Sequence, residues 1–198
     1  MINRYFIIYK PVDMVSQFVS PHKVNLLGDL EFDFPEGTYA VGRLDNHSEG
    51  LLILTNNKKI QRLLFSEKES HERKYLVLAK NKVSAKKLDQ LRNGVPLKVA
   101  NGEDYTTLPC HVEIVERPKN LHKGMFDYDE AVPHAWLTIT LKEGKFHQVR
   151  KMFASVGNHV RRLIRVSIDD LEIGDLKPGE VREIEEEELF RKLKLAIE

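Results

Sequence analysis

The sequence predicts an α+β fold built on a mixed, largely antiparallel sheet. Three observations carry this expectation. Short segments rich in β-branched and aromatic residues outnumber helical ones. The helical stretches fall between strands without a βαβ rhythm. No internal repeat or low-complexity linker divides the chain, so its 198 residues suit one domain or two small lobes sharing a core.

Residues 4–9 (Arg-Tyr-Phe-Ile-Ile-Tyr) read as a strand, which Lys10-Pro11 stops because proline cannot donate to a ladder. Residues 12–38 are polar and irregular, with Pro21, Gly28, Pro35 and Gly37 marking turns. Residues 39–44 and 51–55 read as strands flanking a turn that holds Asp45. A short helix is expected over 58–65, with Ile60, Leu63 and Leu64 at helical spacing. A strand follows over 72–79. Ser84 as N-cap, apolar Leu88 and Leu91, and a following Gly94 define a helix with both boundary signals. Residues 111–115 and 135–141 alternate as strands do, and the intervening 117–134, with Pro118, Gly124 and Pro133, reads as a surface loop. Val149, Met152, Phe153 and Val156 fall at i, i+3, i+4 and i+7, which predicts a helix over 147–156 that Gly157 ends. A strand over 159–168 follows. The last element is a helix over 185–197, burying Leu189, Phe190, Leu193, Ala196 and Ile197, with an acidic first turn that suits the helix dipole.

The bulk numbers exclude more than they identify. An apolar fraction of 41% supports a core, and a formal charge of +1 gives no overall signal for nucleic acid. The charge is unevenly spread, however. Lys142, Lys145, Arg150, Lys151, Arg161, Arg162 and Arg165 face a lone acid, Glu143, whereas Glu185 to Glu188 form an unbroken acidic run. One surface is thus able to attract an anion while the whole stays near neutral. A single cysteine, Cys110, rules out an intrachain disulfide and suits a reducing compartment. No signal peptide and no apolar run of membrane-spanning length is recognisable, so a soluble cytoplasmic protein is expected. The histidines show no metal-ligand spacing, Asp127, Asp129 and Glu130 lack an EF-hand pattern, and no Gly-rich nucleotide loop is present.

Two stretches stand out for chemistry. In Gly42-Arg43-Leu44-Asp45-Asn46-His47-Ser48-Glu49-Gly50 a single carboxylate lies between a basic neighbour and a glycine-bounded turn. Arg43 and Asp45 leave the same face of an extended segment, and an arginine nearby keeps a carboxylate ionised. The apolar run Leu51 to Leu54 anchors the turn, as a reactive site requires. The second stretch, Glu143-Gly144-Lys145-Phe146-His147-Gln148-Val149-Arg150-Lys151-Met152, opens a helix. Its first turn offers N–H groups to a phosphate, and His147, Arg150 and Lys151 are expected on the face opposite the apolar stripe. An ordinary amphipathic helix with a basic outer side gives the same pattern. Tyr75, mid-strand, is a packing residue unless it lines the cleft that holds Asp45.

Together these residues resemble the pseudouridine synthases. Gly42-Arg43-Leu44-Asp45 with Ser48-Glu49-Gly50-Leu51-Leu52-Ile53-Leu54-Thr55-Asn56 is similar to the family's catalytic motif, in the form found in its ribosomal small-subunit synthase A branch. Tyr9-Lys10-Pro11 resembles the first motif and Lys74-Tyr75 the tyrosine motif. Glu143 to Met152, with Arg162-Leu163 and Arg165, resembles the third. The resemblance covers almost the whole chain. Val12-Asp13-Met14 and Asn46-His47 depart from the usual pattern and bear on substrate fit.

The resemblance implies the synthase catalytic fold: a mixed, largely antiparallel sheet flanked by helices, with a central cleft, formed by residues 1–198 without the S4 RNA-binding domain common in the branch. It implies detachment of uracil from C1′ of its ribose, rotation, and rejoining through C5, with no cofactor, metal or energy source. Asp45 is then the catalytic carboxylate. Arg150 pairs with it and orients it, and Tyr75 stacks on the uracil and assists loss of the C5 proton. Arg43 holds a phosphate or fills the place of the displaced base, and Leu163 forms an apolar wall. Lys145, His147, Lys151, Arg162 and Arg165 contact the RNA, with Arg161 joining them on the backbone. The expected partner is ribosomal RNA, by likeness to members without S4 the 23S rRNA or a large-subunit precursor, and the expected state is a monomer. Three alternatives stand beside this reading, one of them inside the family: the same reaction on small-subunit rRNA or at another large-subunit site. A non-catalytic rRNA-binding or assembly protein would tolerate loss of Asp45. A glycosidase-like hydrolase needs a second facing acid, for which Glu49 is the nearby candidate, with nothing in the motif to aim it inward.

Overall fold

The run that follows the Asp45 turn becomes β3 (Glu49–Thr55), in which every residue is buried. A strand with so little polar surface must be covered on both faces. Its neighbour β1 (Tyr5–Lys10) is equally buried and pairs with it antiparallel, from Tyr5 opposite Thr55 to Lys10 opposite Gly50. The short β2 (Tyr39–Val41) takes the far edge of β3 at residues 53–55, antiparallel.

The computed structural model describes residues 2–64, 70–98, 102–129 and 131–196. It divides into two units, residues 1–71 with 164–198, and residues 72–163. In the first unit β11 (Val181–Ile184) flanks β1 antiparallel. β9 (His159–Ile168), whose residues 164–168 belong here, runs parallel to β3 at Glu49 and Gly50. A tight turn through Asp169 and Asp170 returns the chain as β10 (Leu171–Glu172). α1 (Ile60–Leu64) buries Ile60 and Leu64, and α4 (Glu186–Lys192) buries Leu189 and Phe190, the latter edge-on to Tyr5. The irregular stretch 12–38 is not mere surface. It supplies Phe32 and Phe34, which pack edge-on against Phe6, Phe18, which packs edge-on against Phe34, and a single 3-10 turn at Leu27–Asp29.

In the second unit the antiparallel strands β4 (Arg73–Lys80), β8 (His134–Leu141) and β7 (His111–Val115) pair in that order. α2 (Ala85–Asn93) begins at Ser84, whose side chain accepts from the Lys87 N–H, and ends at Gly94 with φ 95°. α3 (Gln148–Ser155) buries Val149, Met152 and Phe153 among Val77, Leu137 and Ile139. Each such side chain contributes about 1.5–3 kcal/mol by leaving water. A two-stranded ribbon, β5 (Pro96–Lys98) with β6 (Asp104–Thr106), stands apart from that sheet.

The predicted elements are found within one or two residues except at β2, which stops at Val41, three residues short of the expected Leu44, and at the chain's end. The C-terminal helix stops at Lys192, Lys194 takes a φ of 55°, and Ala196 is exposed rather than buried. Phe65 and Ile197, expected in helices, lie outside the described residues, as does the loop acid Glu130. β5, β6, β10 and β11 were not anticipated. They are two to four residues long, too short for an alternating pattern to register.

Candidate active site

Asp45 lies half-buried on a turn whose backbone is fastened at both ends. On one side the Ser16 hydroxyl accepts from the Leu44 N–H at 3.0 Å and contacts the Leu44 carbonyl as donor at 2.9 Å. On the other side the Asn46 carbonyl accepts from the Asp13 N–H at 2.9 Å. His47 Nδ1 meets Asp13 Oδ1 at 2.8 Å, and the Ser48 N–H closes the turn on the Asp45 carbonyl at 3.0 Å. Beyond the turn Gly50 has φ 104°, and a Cβ there would lie 2.4 Å from the Arg165 carbonyl oxygen. Only glycine lets β3 start so close to β9.

Beneath the turn sits Lys10, with no exposed surface. Its ammonium donates to the carbonyls of Met14 at 2.6 Å and Pro11 at 2.7 Å, and reaches that of Asn46 at 3.5 Å. Burial pulls its pKa down to about 8, against the opposing pull of Glu49, Asp45 and Asp13. The lysine therefore ties the Pro11–Met14 loop to the Asp45 turn and places a positive charge among three carboxylates. Glu49 is 5% exposed, and its Oε2 accepts from the Tyr9 hydroxyl at 2.9 Å. This corrects the expectation that nothing aims Glu49 inward: it belongs to a strand buried along its length. Arg43 is exposed, and Arg165 is buried with Nε donating to the Leu51 carbonyl at 2.8 Å.

The other candidate residues belong to the second unit. Tyr75 is half-buried against its core and Leu163 is buried within that core. Arg150 is half-buried and donates to the Val160 carbonyl at 3.2 Å. Arg162 is 1% exposed, and its guanidinium binds Asp127 at 2.9 Å and the His122 carbonyl at 2.9 Å. It thus pins the 117–134 loop from below, and its place in an outward basic stripe is not what the fold gives it. Asp127 is pushed up by burial, but the Gly124 N–H, Arg162 and Arg117 outweigh this and hold it below the usual range.

His147 is not a residue of α3 but its N-cap, in the left-handed region with φ 55°, so it does not share a helical face with Arg150 and Lys151. The N–H groups expected to hold a phosphate are partly spent. That of Lys145 donates to Gln148 Oε1 at 2.8 Å, and that of Gln148 to the Lys145 carbonyl at 3.1 Å. Lys145 is exposed and stands over the Tyr105 ring, 4.7 Å from its centroid. Lys151 donates to the Lys98 carbonyl at 2.9 Å.

Sequence reasoning missed Lys10 and Ser16 as supports of the Asp45 turn. Lys10 had a signal: a lysine closing an otherwise apolar strand needs acceptors if the strand is buried. Ser16 had none, because its role depends on a contact across 28 positions.

A mixed, mostly antiparallel sheet flanked by helices is the arrangement of the pseudouridine synthase catalytic fold. The structure matches a crystal structure of a pseudouridylate synthase with a TM-score of 0.78 and 28% identity, over 97% of this chain and 74% of that one. A family model for RNA pseudouridylate synthase matches residues 4–155. The chain belongs to that family and is an isomerase, a pseudouridine synthase. Among its relatives, ribosomal large subunit pseudouridine synthase E of Vibrio parahaemolyticus is 38% identical over 186 residues, 92% of this chain and 75% of that protein. Ribosomal small subunit pseudouridine synthase A of the same organism is 29% identical over 187 residues, 94% of this chain and 72% of that protein.

Proposed function

We propose that the protein converts a specific uridine of 23S ribosomal RNA to pseudouridine, with Asp45 as the catalytic carboxylate. The substrate reading rests on likeness: within one organism, the large-subunit synthase E is more similar to this chain than the small-subunit synthase A. The same likeness supports reading the chain as nearer the E type than the A type within its family. The choice of Asp45 rests on one observation, a half-buried carboxylate on a turn held by Ser16, Lys10 and Asp13. Fixing the turn pre-pays the ordering cost that a reacting group otherwise meets on binding.

In the reaction the N1–C1′ bond breaks, uracil turns, C5 bonds to C1′, and the proton on C5 is lost while N1 regains one. Asp45 is the group able to attack or to take a proton in this sequence. Tyr75, Arg150, Arg43 and Leu163 complete the set in the roles the family motifs suggest. Lys145 and Lys151 contribute charge to the RNA contact. Monomeric action in the cytoplasm forms part of the same proposal.

The test is release of tritium from rRNA labelled at uridine C5, by wild type and by Asp45→Asn. Release by wild type alone supports Asp45, and equal release by both rejects it. Mapping the product then decides between large-subunit and small-subunit rRNA.

A further inference from the structure

Phe146 is the conspicuous exposed aromatic side chain of the second unit. It is 63% exposed, on a segment otherwise made of charge and glycine. Successive side chains ordinarily diverge, yet Phe146 and His147 lie with rings 3.9 Å apart and 16° from parallel. The left-handed backbone at His147, with φ 55° and ψ 29°, folds the two rings onto each other. A non-glycine residue pays for that conformation, so the stacked pair is held by its surroundings. Gln148 supplies part of the hold through the Lys145 N–H and Glu143.

The surroundings are cationic. The Lys151 ammonium stands over the Phe146 ring, 5.5 Å from its centroid, and donates to the Lys98 carbonyl. Lys145, the residue before Phe146, is exposed with its ammonium over the Tyr105 ring. The one acid of the stretch, Glu143, is committed to the Tyr105 hydroxyl, the Leu108 N–H and Gln148. A stacked, exposed aromatic pair with cationic neighbours suits a planar ring joined to anions. Single-stranded nucleic acid has that chemistry, with bases stacking on aromatic faces while lysines meet the phosphates.

We infer that the Phe146–His147 pair is a stacking platform for an unpaired base of the RNA substrate, with Lys145 and Lys151 meeting the adjoining phosphates. This deepens the pseudouridine synthase reading and rests on it. The platform grips RNA and is not itself a catalytic group.

Phe146→Trp gives a direct probe, because the sole native tryptophan, Trp136, is only 5% exposed and remains a constant background. Titration of this variant with a short single-stranded oligouridylate should quench the new emission. Phe146→Leu keeps apolar bulk but removes the ring. It should weaken oligouridylate binding about tenfold and raise KM on labelled rRNA, with kcat unchanged, while Phe146→Trp restores both. Unquenched emission and an unchanged affinity in Phe146→Leu, with wild type binding and releasing tritium, overturn the platform and leave the enzyme reading standing. Quenching and ring-dependent binding without tritium release by wild type support the platform and reject the catalytic reading. No oligouridylate binding by wild type overturns the platform, and tritium release from rRNA then decides the enzyme reading by itself.

Discussion

The Asp45 turn and the Lys145–Lys151 segment both carry charge, but they are built in opposite ways. The turn is braced by buried groups: a lysine with no exposed surface, a serine bonded twice to one residue, and a glycine that no other residue replaces. The segment is open, with an exposed lysine and an exposed aromatic ring. Chemistry at a single atom needs a fixed geometry, and burial supplies it. Gripping a long polyanion needs accessible charge, and rigidity adds little. Substitutions at the turn should therefore damage stability or rate, and substitutions at the segment should damage affinity.

The largest expected effect is Asp45→Asn, which removes the charge and keeps the shape. Tritium release should fall to background while stability changes by about 1 kcal/mol or less. Thermal melting beside the activity assay checks both halves. Gly50→Ala comes next. It forces an L-residue to φ 104° with its Cβ 2.4 Å from the Arg165 carbonyl oxygen. A loss of about 3 kcal/mol or more is expected in urea unfolding. A fully stable, active Gly50→Ala protein would break the claim that the turn is rigid.

The turn was legible in the sequence and its bracing was not. Asp45, its glycines and the apolar run are contiguous, so spacing alone brings them together. Ser16, Lys10 and Asp13 reach the turn from 28 to 36 positions away, through a stretch whose composition reads only as irregular. The same limit explains Arg162. In sequence it extends a basic run, but its position on β9 buries it against Asp127, 35 residues earlier. Strand alternation was the available clue, since Arg161 is exposed and Arg162 is not. At the third motif, periodicity found α3 and its core face. It did not find the left-handed backbone at His147, because helical spacing says nothing of the conformation of the residue that precedes the first turn.

Lys10→Met sharpens the comparison through pH. The variant leaves the Met14 and Pro11 carbonyls without their ammonium donor and should cost about 2–4 kcal/mol. Because burial lowers the folded pKa to about 8 from the ordinary 10.5, the unfolded chain binds more protons between those values. The lysine's contribution to stability therefore rises with pH across that window, and below it the cost of the buried charge is fully present. Methionine does not titrate, so the gap between wild type and Lys10→Met should widen in favour of wild type from about pH 8 to 10. Urea unfolding at several pH values reads the slope. A gap that narrows would show that the ammonium is stabilised by its burial site, against the lowered pKa. RNA affinity should hold while kcat falls, since the lysine supports the turn.

Lys145→Ala should give the smallest effect and the opposite signature. Lys145 is exposed, and its contact with the Tyr105 ring contributes about 0.5–1 kcal/mol at such a site. Folding should be almost indifferent, and kcat should match wild type once RNA is saturating. If Lys145 meets one phosphate, its loss removes about one released counterion, and the slope of log affinity against log salt becomes shallower by about 0.7 for single-stranded RNA. Affinities of wild type and variant, measured from low to moderate salt, should converge as salt rises. Parallel lines would mean that Lys145 never touches the backbone. A change in kcat would mean that the open segment shapes the reacting geometry, and the contrast between a braced turn and a gripping surface would fail.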